Sequence, residues 1–352
     1  MHGKFIFLII IVCIYCFMYF CFTYINFNKK RNFDEMRTSA EKCKNQLTIL
    51  GENVKDITNG YTRRKVLTRT TYPIVLTKPY KINNEGICRN VTKLSCIVIV
   101  HTSPRHFNRR NIMRETWLNS SYYNPESIRV VFLLGQVSNI SLQMKIEHEN
   151  SVFKDIVQGH FIDSYHNLTN KGVMGLKWIT EYCQNAEFIV KIDDDVFVNF
   201  FKVFSEMSQI RNKKKYIACN RLDAGTNYIQ RETYGKWYVH KDEFKRMRYY
   251  PYTSCSGLVV FISRDLVPLL YTAAFMSPFF WVDDMYLFGI LPAKINGVIH
   301  QKLNMNLTLN HTQGLECYEK FGTQCHFAVS LIIPEKDNVT CRSWEAILRT
   351  RK

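Results

Sequence analysis

Two groups of carboxylates stand out in the sequence by their setting. Asp193, Asp194 and Asp195 sit in FIVKIDDDVFVN, where an apolar run meets a turn. Three adjacent like charges raise one another's pKa, and a bound divalent cation removes that cost. Hard carboxylate oxygens suit Mg²⁺ or Mn²⁺ sharing its shell with phosphate oxygens. An acidic surface turn is the plainer alternative, opposed here by the apolar residues on both sides (Ile189, Val190, Val196, Phe197). The second group, Asp283 and Asp284, follows Trp281-Val282 and precedes an apolar helical run. Carboxylates entering a helix gain from its N-terminal dipole. Beside a substrate hydroxyl, a partly desolvated Asp is instead a general base. One acid cluster for a metal and another for proton removal are what metal-assisted group transfer requires.

Both clusters have to be positioned by the chain from Leu94 onward, where short apolar runs alternate with helical patterns. Strands are expected at Cys96 to Val100, Ile128 to Leu134, Glu187 to Ile192, Tyr216 to Cys219 and Leu258 to Ile262. Between them, Val173, Leu176, Ile179, Tyr182 and Cys183 form a helical stripe over Thr169 to Gln184. A further helix is expected over Asp265 to Ala274, with Ser263 as its N-cap. Such alternation predicts an α/β fold with a mainly parallel central sheet. The triplet then falls at the carboxyl edge of a strand, where open α/β sheets bind ligands.

The rest of the chain bears on compartment and partners. Residues 5 to 27 are 23 consecutive uncharged, mostly apolar residues. At about 1.5 Å each they reach roughly 34 Å, enough for a bilayer core of ~30 Å. A cleaved signal peptide is the competing reading, but it needs a small-residue exit, and this one ends in Tyr24 and Phe27. The expected organisation is a cytosolic tail (1–4), a transmembrane signal anchor (5–27), a stem (28–93) and a lumenal catalytic domain (94–352). Lys29, Lys30 and Arg31 after the span argue for the opposite orientation. Seven Asn-x-Ser/Thr sequons, at Asn90, Asn119, Asn139, Asn167, Asn306, Asn310 and Asn338, favour the lumen. So do nine cysteines beyond the span without CxxC metal spacing, read as disulfides rather than zinc ligands or reduced core thiols. The net charge of +17 is scattered, with no basic recognition helix. It therefore points to an anionic substrate or membrane surface and not to nucleic acid.

Seven segments carry a resemblance: SPRHFNRRNIMRETW, VVFLLG, FIDSYHNLTNKGVMGLKW, KIDDDVFVN, KWYV, YYPYTSCSGLVVFISRDLVPLLY and VDDMYLFGIL, in this order. Together, over roughly residues 94 to 295, the chain resembles the β-1,3-galactosyltransferase family, which includes N-acetylglucosaminyl- and N-acetylgalactosaminyltransferases. The resemblance implies a GT-A type nucleotide-sugar-binding fold, an inverting mechanism, Mn²⁺ (or Mg²⁺) and a UDP-sugar donor. It also implies a single-pass type II protein of the Golgi membrane, acting on a glycan acceptor carried by protein or lipid. The transfer it implies is from UDP-galactose to an acceptor 3-hydroxyl, forming a β-1,3 linkage. Alternatives are transfer from a UDP-N-acetylhexosamine, or a catalytically weak carbohydrate-binding pseudoenzyme.

Carried over to this chain, Asp195 becomes the metal ligand, Asp193 faces uridine and ribose, and Asp194 completes the donor-binding triplet. Asp284 becomes the base, with Asp283 beside it. Arg110 and Arg114 match a motif that contacts the nucleotide or diphosphate, with helix packing as the alternative. Lys236 and Trp237 border the donor sugar, and Tyr252, Ser256 and Gly257 belong to a segment whose small residues let backbone approach it. The chain departs from the family by inserting Thr253-Ser254 before Cys255 and by placing Leu258 where a glycine is usual. It also lacks the C-terminal His of the family, with His300 and His311 as substitutes.

Overall fold

The computed structural model describes residues 80–351 apart from 92, 207, 304–305 and 334–337. The apolar span 5–27 and the expected stem as far as residue 79 lie outside the described residues. No helix among the described residues is long and apolar enough to cross a membrane.

Strands form on the apolar runs as β1 (Leu94–His101), β2 (Ile128–Gln136), β3 (Ile156–Ile162), β4 (Ala186–Asp193), β6 (Tyr216–Leu222) and β7 (Ser254–Ser263), and on the largely exposed edge segment β8 (Ile299–Lys302). They make one sheet in the order β3-β2-β1-β4-β7-β6-β8. Every residue of β1 is buried. Ile97 and Ile99 pack into one hydrophobic layer, and Cys96, Val98 and Val100 into the other. A strand covered on both faces reads as a continuous apolar run, which is why alternation is absent.

The sheet is mainly parallel, but β7 runs antiparallel to both β4 and β6. An apolar run does not encode strand direction. Helices α1 (Phe107–Glu115) and α2 (Ile140–Phe153) cover one face, α3 (Leu168–Tyr182) and α5 (Leu266–Ala274) the other. Between β4 and β6 lie a short strand, β5 (Val196–Val198), and helix α4 (Phe200–Glu206).

Ser263 does not cap α5. Its hydroxyl accepts from Tyr216 N at 2.9 Å, tying β7 to β6, while Asp265 precedes the helix and accepts from Lys215 N. The folded body also begins before Leu94. Ile82 bridges to Gln158 on the edge strand β3, and Cys88 is disulfide-bonded to Cys183. Residues 80–93, expected as the last part of the stem, are thereby fastened to the sheet.

Two further disulfides join Cys219 to Cys255 and Cys317 to Cys325, leaving Cys96 and Cys341 as thiols among the described residues. The first closes a long connection, residues 223–253, that has almost no regular structure. Arg231 holds it from within, donating to the carbonyls of Val239, His240, Glu243 and Phe244 at 2.6–3.1 Å.

The C-terminal part adds a small sheet, β5-β10-β9, with β9 at Leu307–Thr308 and β10 at Val329–Leu331. It pairs β10 antiparallel to β5, directly after the acidic triplet, and Ile332 N donates to Asp195 O at 2.8 Å. Helix α7 (His311–Phe321) and α8 (Val339–Thr350) close this end, and α6 (Asp283–Met285) runs on as a π-helical turn through Ile290.

Candidate active site

The strand order reverses between β1 and β4, so their carboxyl ends open a crevice, the usual ligand position in such sheets. His101 at the end of β1 lies in register with Asp193 at the end of β4. The crevice is a cleft of about 1040 Å³, and Asp193, Asp194, Asp195, Asp283 and Asp284 all line it. Lys236, Trp237, Ser256 and Gly257 line it too. The two acid clusters, 90 residues apart in sequence, thus share one cavity.

The three aspartates of the triplet differ in their bonding. Asp194 is fully engaged: Thr102 Oγ1 donates to Oδ2 at 2.6 Å, His106 Nδ1 lies 2.7 Å from the same oxygen, and Arg109 Nη1 reaches Oδ1 at 2.8 Å. Burial would raise its pKa, but these partners outweigh it and hold Asp194 below the usual carboxylate range. Its structural effect is to pin the turn between β1 and α1. Asp193 accepts from Lys191 Nζ at 2.7 Å. Although 38% of its side chain is open, dehydration by the cleft walls and the charges of Asp284 and Asp195 raise its pKa against the Lys191 ammonium.

Asp195 is the unsatisfied one. Its Oδ1 is buried with no hydrogen-bond partner among the described residues, and burial together with the Asp194 charge raises its pKa. A buried carboxylate oxygen without a donor fits a divalent cation.

Asp283 and Asp284 open α6. Asp284 Oδ2 accepts from the backbone of Gly257 at 2.8 Å, and Lys191 Nζ donates to the carbonyl of the same glycine at 2.6 Å. The buried ammonium of Lys191 therefore links the triplet to the pair through Gly257. Loss of water around the pair, with mutual repulsion at Asp283, raises both carboxyls despite Lys191.

Gly257 is available because the β6–β7 ladder slips. Pairing passes from Cys219↔Val260 to Arg221↔Cys255, leaving Ser256–Leu258 as an arch out of register. Bulges of this kind re-aim residues beside active sites. A Cβ at Gly257 would stand 1.7 Å from Asp284 Oδ1. The sequence-based expectation was that this small residue makes room for sugar. The carboxylate of Asp284 fills that room instead.

Trp237 Nε1 donates to Tyr165 Oη at 2.6 Å, Lys236 Nζ lies 4.7 Å from the Tyr165 ring centroid, and Trp281 packs on His166 at 4.4 Å. This gives the cleft an aromatic wall. Tyr252 lies outside it and packs edge-on to Phe244.

Arg110 and Arg114 do not reach the cleft. Arg110 is fully buried, with Nε and Nη2 on Glu149 and Nη1 on the carbonyl of Ser103. Arg114 grips Asp155 with two bonds and Glu149 with a third. These are ion pairs that dock α1 on α2 and on the α2–β3 connection at Asp155, so the assignment to nucleotide contact is corrected to helix packing. Arg110→Ala would leave Glu149 short of its buried partner. The expected cost is about 3–5 kcal/mol, read as a lower urea midpoint, with the donor KM of the folded fraction unchanged.

The arginine of that motif that does face the triplet is Arg109, which belongs to the matched segment but was given no site role. His101 and His106 were also missed, and they are the histidines that line the cleft; His300 is tied to the Phe288 carbonyl and, like His311, does not. Neither ring nitrogen of the buried His101 has a hydrogen-bond partner among the described residues, and Asp283 Oδ2 lies 3.8 Å away. Burial and the charges of Lys191 and Lys171 keep this imidazole neutral, so the contact is not an ion pair. Lys171 itself braces the rim, bonding Asp163 at 2.9 Å and the Thr102 carbonyl at 2.7 Å.

The family model described as Galactosyltransferase matches residues 108–303. Beta-1,3-galactosyltransferase 1 of Mus musculus is 28% identical over 261 residues, 72% of this chain and 76% of its own length. Lactosylceramide 1,3-N-acetyl-beta-D-glucosaminyltransferase of Xenopus tropicalis is 33% identical over 230 residues, 63% of this chain and 59% of its own. Among solved structures, galactosyltransferase LgtC with donor and acceptor sugar analogs aligns over 73% of this chain and 97% of its own, at 11% identity and a TM-score of 0.35. The cleft and the sequence relatives define a glycosyltransferase, an enzyme that moves a sugar from a nucleotide-sugar donor to a glycan acceptor. Within that class, the chain belongs to the galactosyltransferase family.

Proposed function

We propose that the protein transfers galactose from UDP-galactose to the 3-hydroxyl of a sugar acceptor, inverting the anomeric centre to give a β-1,3 linkage. The observation that carries this reading is Asp284, a carboxyl of raised pKa held by Gly257 N in the same cleft as the triplet. A base whose pKa approaches the working pH is the effective one. Asp284 takes the proton of the acceptor hydroxyl as its oxygen attacks the anomeric carbon. The bond from that carbon to the diphosphate breaks, and UDP departs from the opposite face.

Asp195 would hold a divalent cation, Mn²⁺ or Mg²⁺, which when bound offsets the negative charge growing on the diphosphate. Arg109 and the scattered positive charge favour the same anion, and Lys236, Trp237 and Ser256 border the sugar. GT-A architecture, a type II anchor at 5–27, a stem within residues 28–93 and a Golgi lumenal catalytic domain complete the reading. The disulfides and the sequons support the lumenal placement. UDP-N-acetylglucosamine is the second donor reading, favoured by the resemblance to the frog enzyme.

The secreted form of residues 40–352, incubated with UDP-sugars and β-galactoside or β-N-acetylglucosaminide acceptors, is expected to release UDP with UDP-galactose. NMR of the product is expected to show a β-1,3 bond. An α linkage, or no UDP release with any donor from folded protein, overturns the reading.

A further inference from the structure

Helix α2 carries a stripe of apolar residues that the described part of the chain leaves largely exposed, with only the Phe153 ring partly covered by Arg114. Ile140, Met144 and Val152 are 78%, 64% and 60% exposed, and Phe153 is 43% exposed. Residues 140, 144, 148 and 152 fall on one helix face, opposite the buried Gln143, Ile146 and Glu149. With Phe107 of α1, the stripe borders a groove of about 770 Å³. Scattered exposed apolar residues are ordinary, but a contiguous patch signals a covering partner.

The residue that begins the stripe points to the cover. Asn139 is exposed, opens the sequon Asn139-Ile140-Ser141, and is the N-cap of α2. Its Oδ1 accepts from Leu142 N at 2.8 Å, so the cap does not use Nδ2, at the end of α2 that borders the cleft. Asn119 and Asn310 also cap helices through Oδ1, whereas Asn167 Nδ2 donates to the Ile162 carbonyl and Asn306 Nδ2 to the carboxylate of Glu206; of the three caps, Asn139 is the one that begins the apolar stripe. We propose that Asn139 carries an N-linked oligosaccharide that lies along α2 and covers its apolar stripe.

The proposal rests on the lumenal placement given above. Its chemistry needs a lipid-diphosphate-linked oligosaccharide as co-substrate. Nδ2 bonds to the anomeric carbon, the carbon–oxygen bond to the diphosphate breaks, and the lipid diphosphate leaves with the electron pair. Nδ2 gives up one proton and keeps the other. The cap survives, because it uses Oδ1 alone. Sugar rings present C–H faces to Ile140, Met144 and Val152 and turn their hydroxyls to water. Attached oligosaccharides are bulky and solubilising, which this face lacks on its own.

The test expresses the full chain in a eukaryotic secretory pathway and maps occupancy at all seven sequons by glycopeptide mass spectrometry. Asn139 is expected to be occupied. Ser141→Ala, which keeps the Asn139 cap, is expected to lose one glycan and to bind severalfold more hydrophobic dye. Adding Met144→Lys and Val152→Lys to Ser141→Ala should return dye binding to the wild-type level. An empty Asn139 beside occupied sequons elsewhere overturns the proposal and spares the lumenal placement, whereas seven empty sequons overturn both. Unchanged dye binding in Ser141→Ala also overturns it, as does a wild-type dimer that Met144→Glu dissociates, which would assign the stripe to a second copy.

Discussion

Asp284→Asn is expected to lower kcat by about 10²–10⁴-fold while leaving the protein folded, and more stable than wild type at neutral pH. The two effects share one cause. Burial raises Asp284 and Asp283 above the value of a solvated Asp, about 3.9. Between that value and the raised one, the native state holds a proton that the unfolded chain has released. Stability therefore falls as pH rises through this window. Asparagine keeps the bond from Gly257 N and removes the titrating group, so the slope should flatten.

Urea unfolding at pH 5 and pH 7.5, beside initial rates, checks both halves. Wild-type activity in the folded Asn variant would remove Asp284 from the mechanism. Gly257→Ala is the companion test, because its Cβ displaces the carboxylate without altering it. A misplacement on the order of 1 Å is expected to lose about 10²-fold in kcat.

Asp195→Ala is expected to abolish metal-dependent turnover, a loss of about 10²–10⁴-fold if the cation supplies several kcal/mol. Chelation of the wild type with EDTA should give the same loss, reversed by Mn²⁺ or Mg²⁺. Binding itself is measurable: the cation should raise the wild-type Tm and not that of Asp195→Ala. Burial and Asp194 raise the Asp195 carboxyl, so protons compete with the cation over the pH range in which it titrates. Apparent affinity should therefore rise with pH. A Tm increase of equal size in Asp195→Ala would place the cation elsewhere. Asp194→Ala should act differently, since Asp194 is spent on Thr102, His106 and Arg109 and its loss frees the β1–α1 turn.

Much of the sheet was legible because buried strands must be apolar, and the runs at Cys96–Val100, Ile128–Leu134 and Glu187–Ile192 all lie inside strands. The acid clusters were legible because charge beside apolar sequence is expensive without a purpose. Partners far apart in the chain were not. Arg110 and Arg114 carry no local sign of Glu149 and Asp155, 35 to 41 residues away, that bury them. His101 lies just beyond the expected strand Cys96 to Val100 and acquires meaning only when α6 brings Asp283 beside it. The slip of three residues in the β6–β7 ladder has no local signal either, since it is set by what Gly257 must meet on each side.

That arch also bears on how such a chain changes over time. The Cys219–Cys255 bond spans 36 residues and closes the arch at its base. In the loop-closure picture it contributes about 4 kcal/mol, independent of which side chains lie between its ends. Lys236, Trp237 and Asn220 all sit within the covalent ring, and Gly257 lies just beyond it. Thr253-Ser254 could thus be added inside the ring, and Leu258 replace a glycine outside it, with Gly257 still meeting Asp284. On the proposed function, the loop that borders the sugar is free to drift toward new donors while the proposed proton acceptor stays in place.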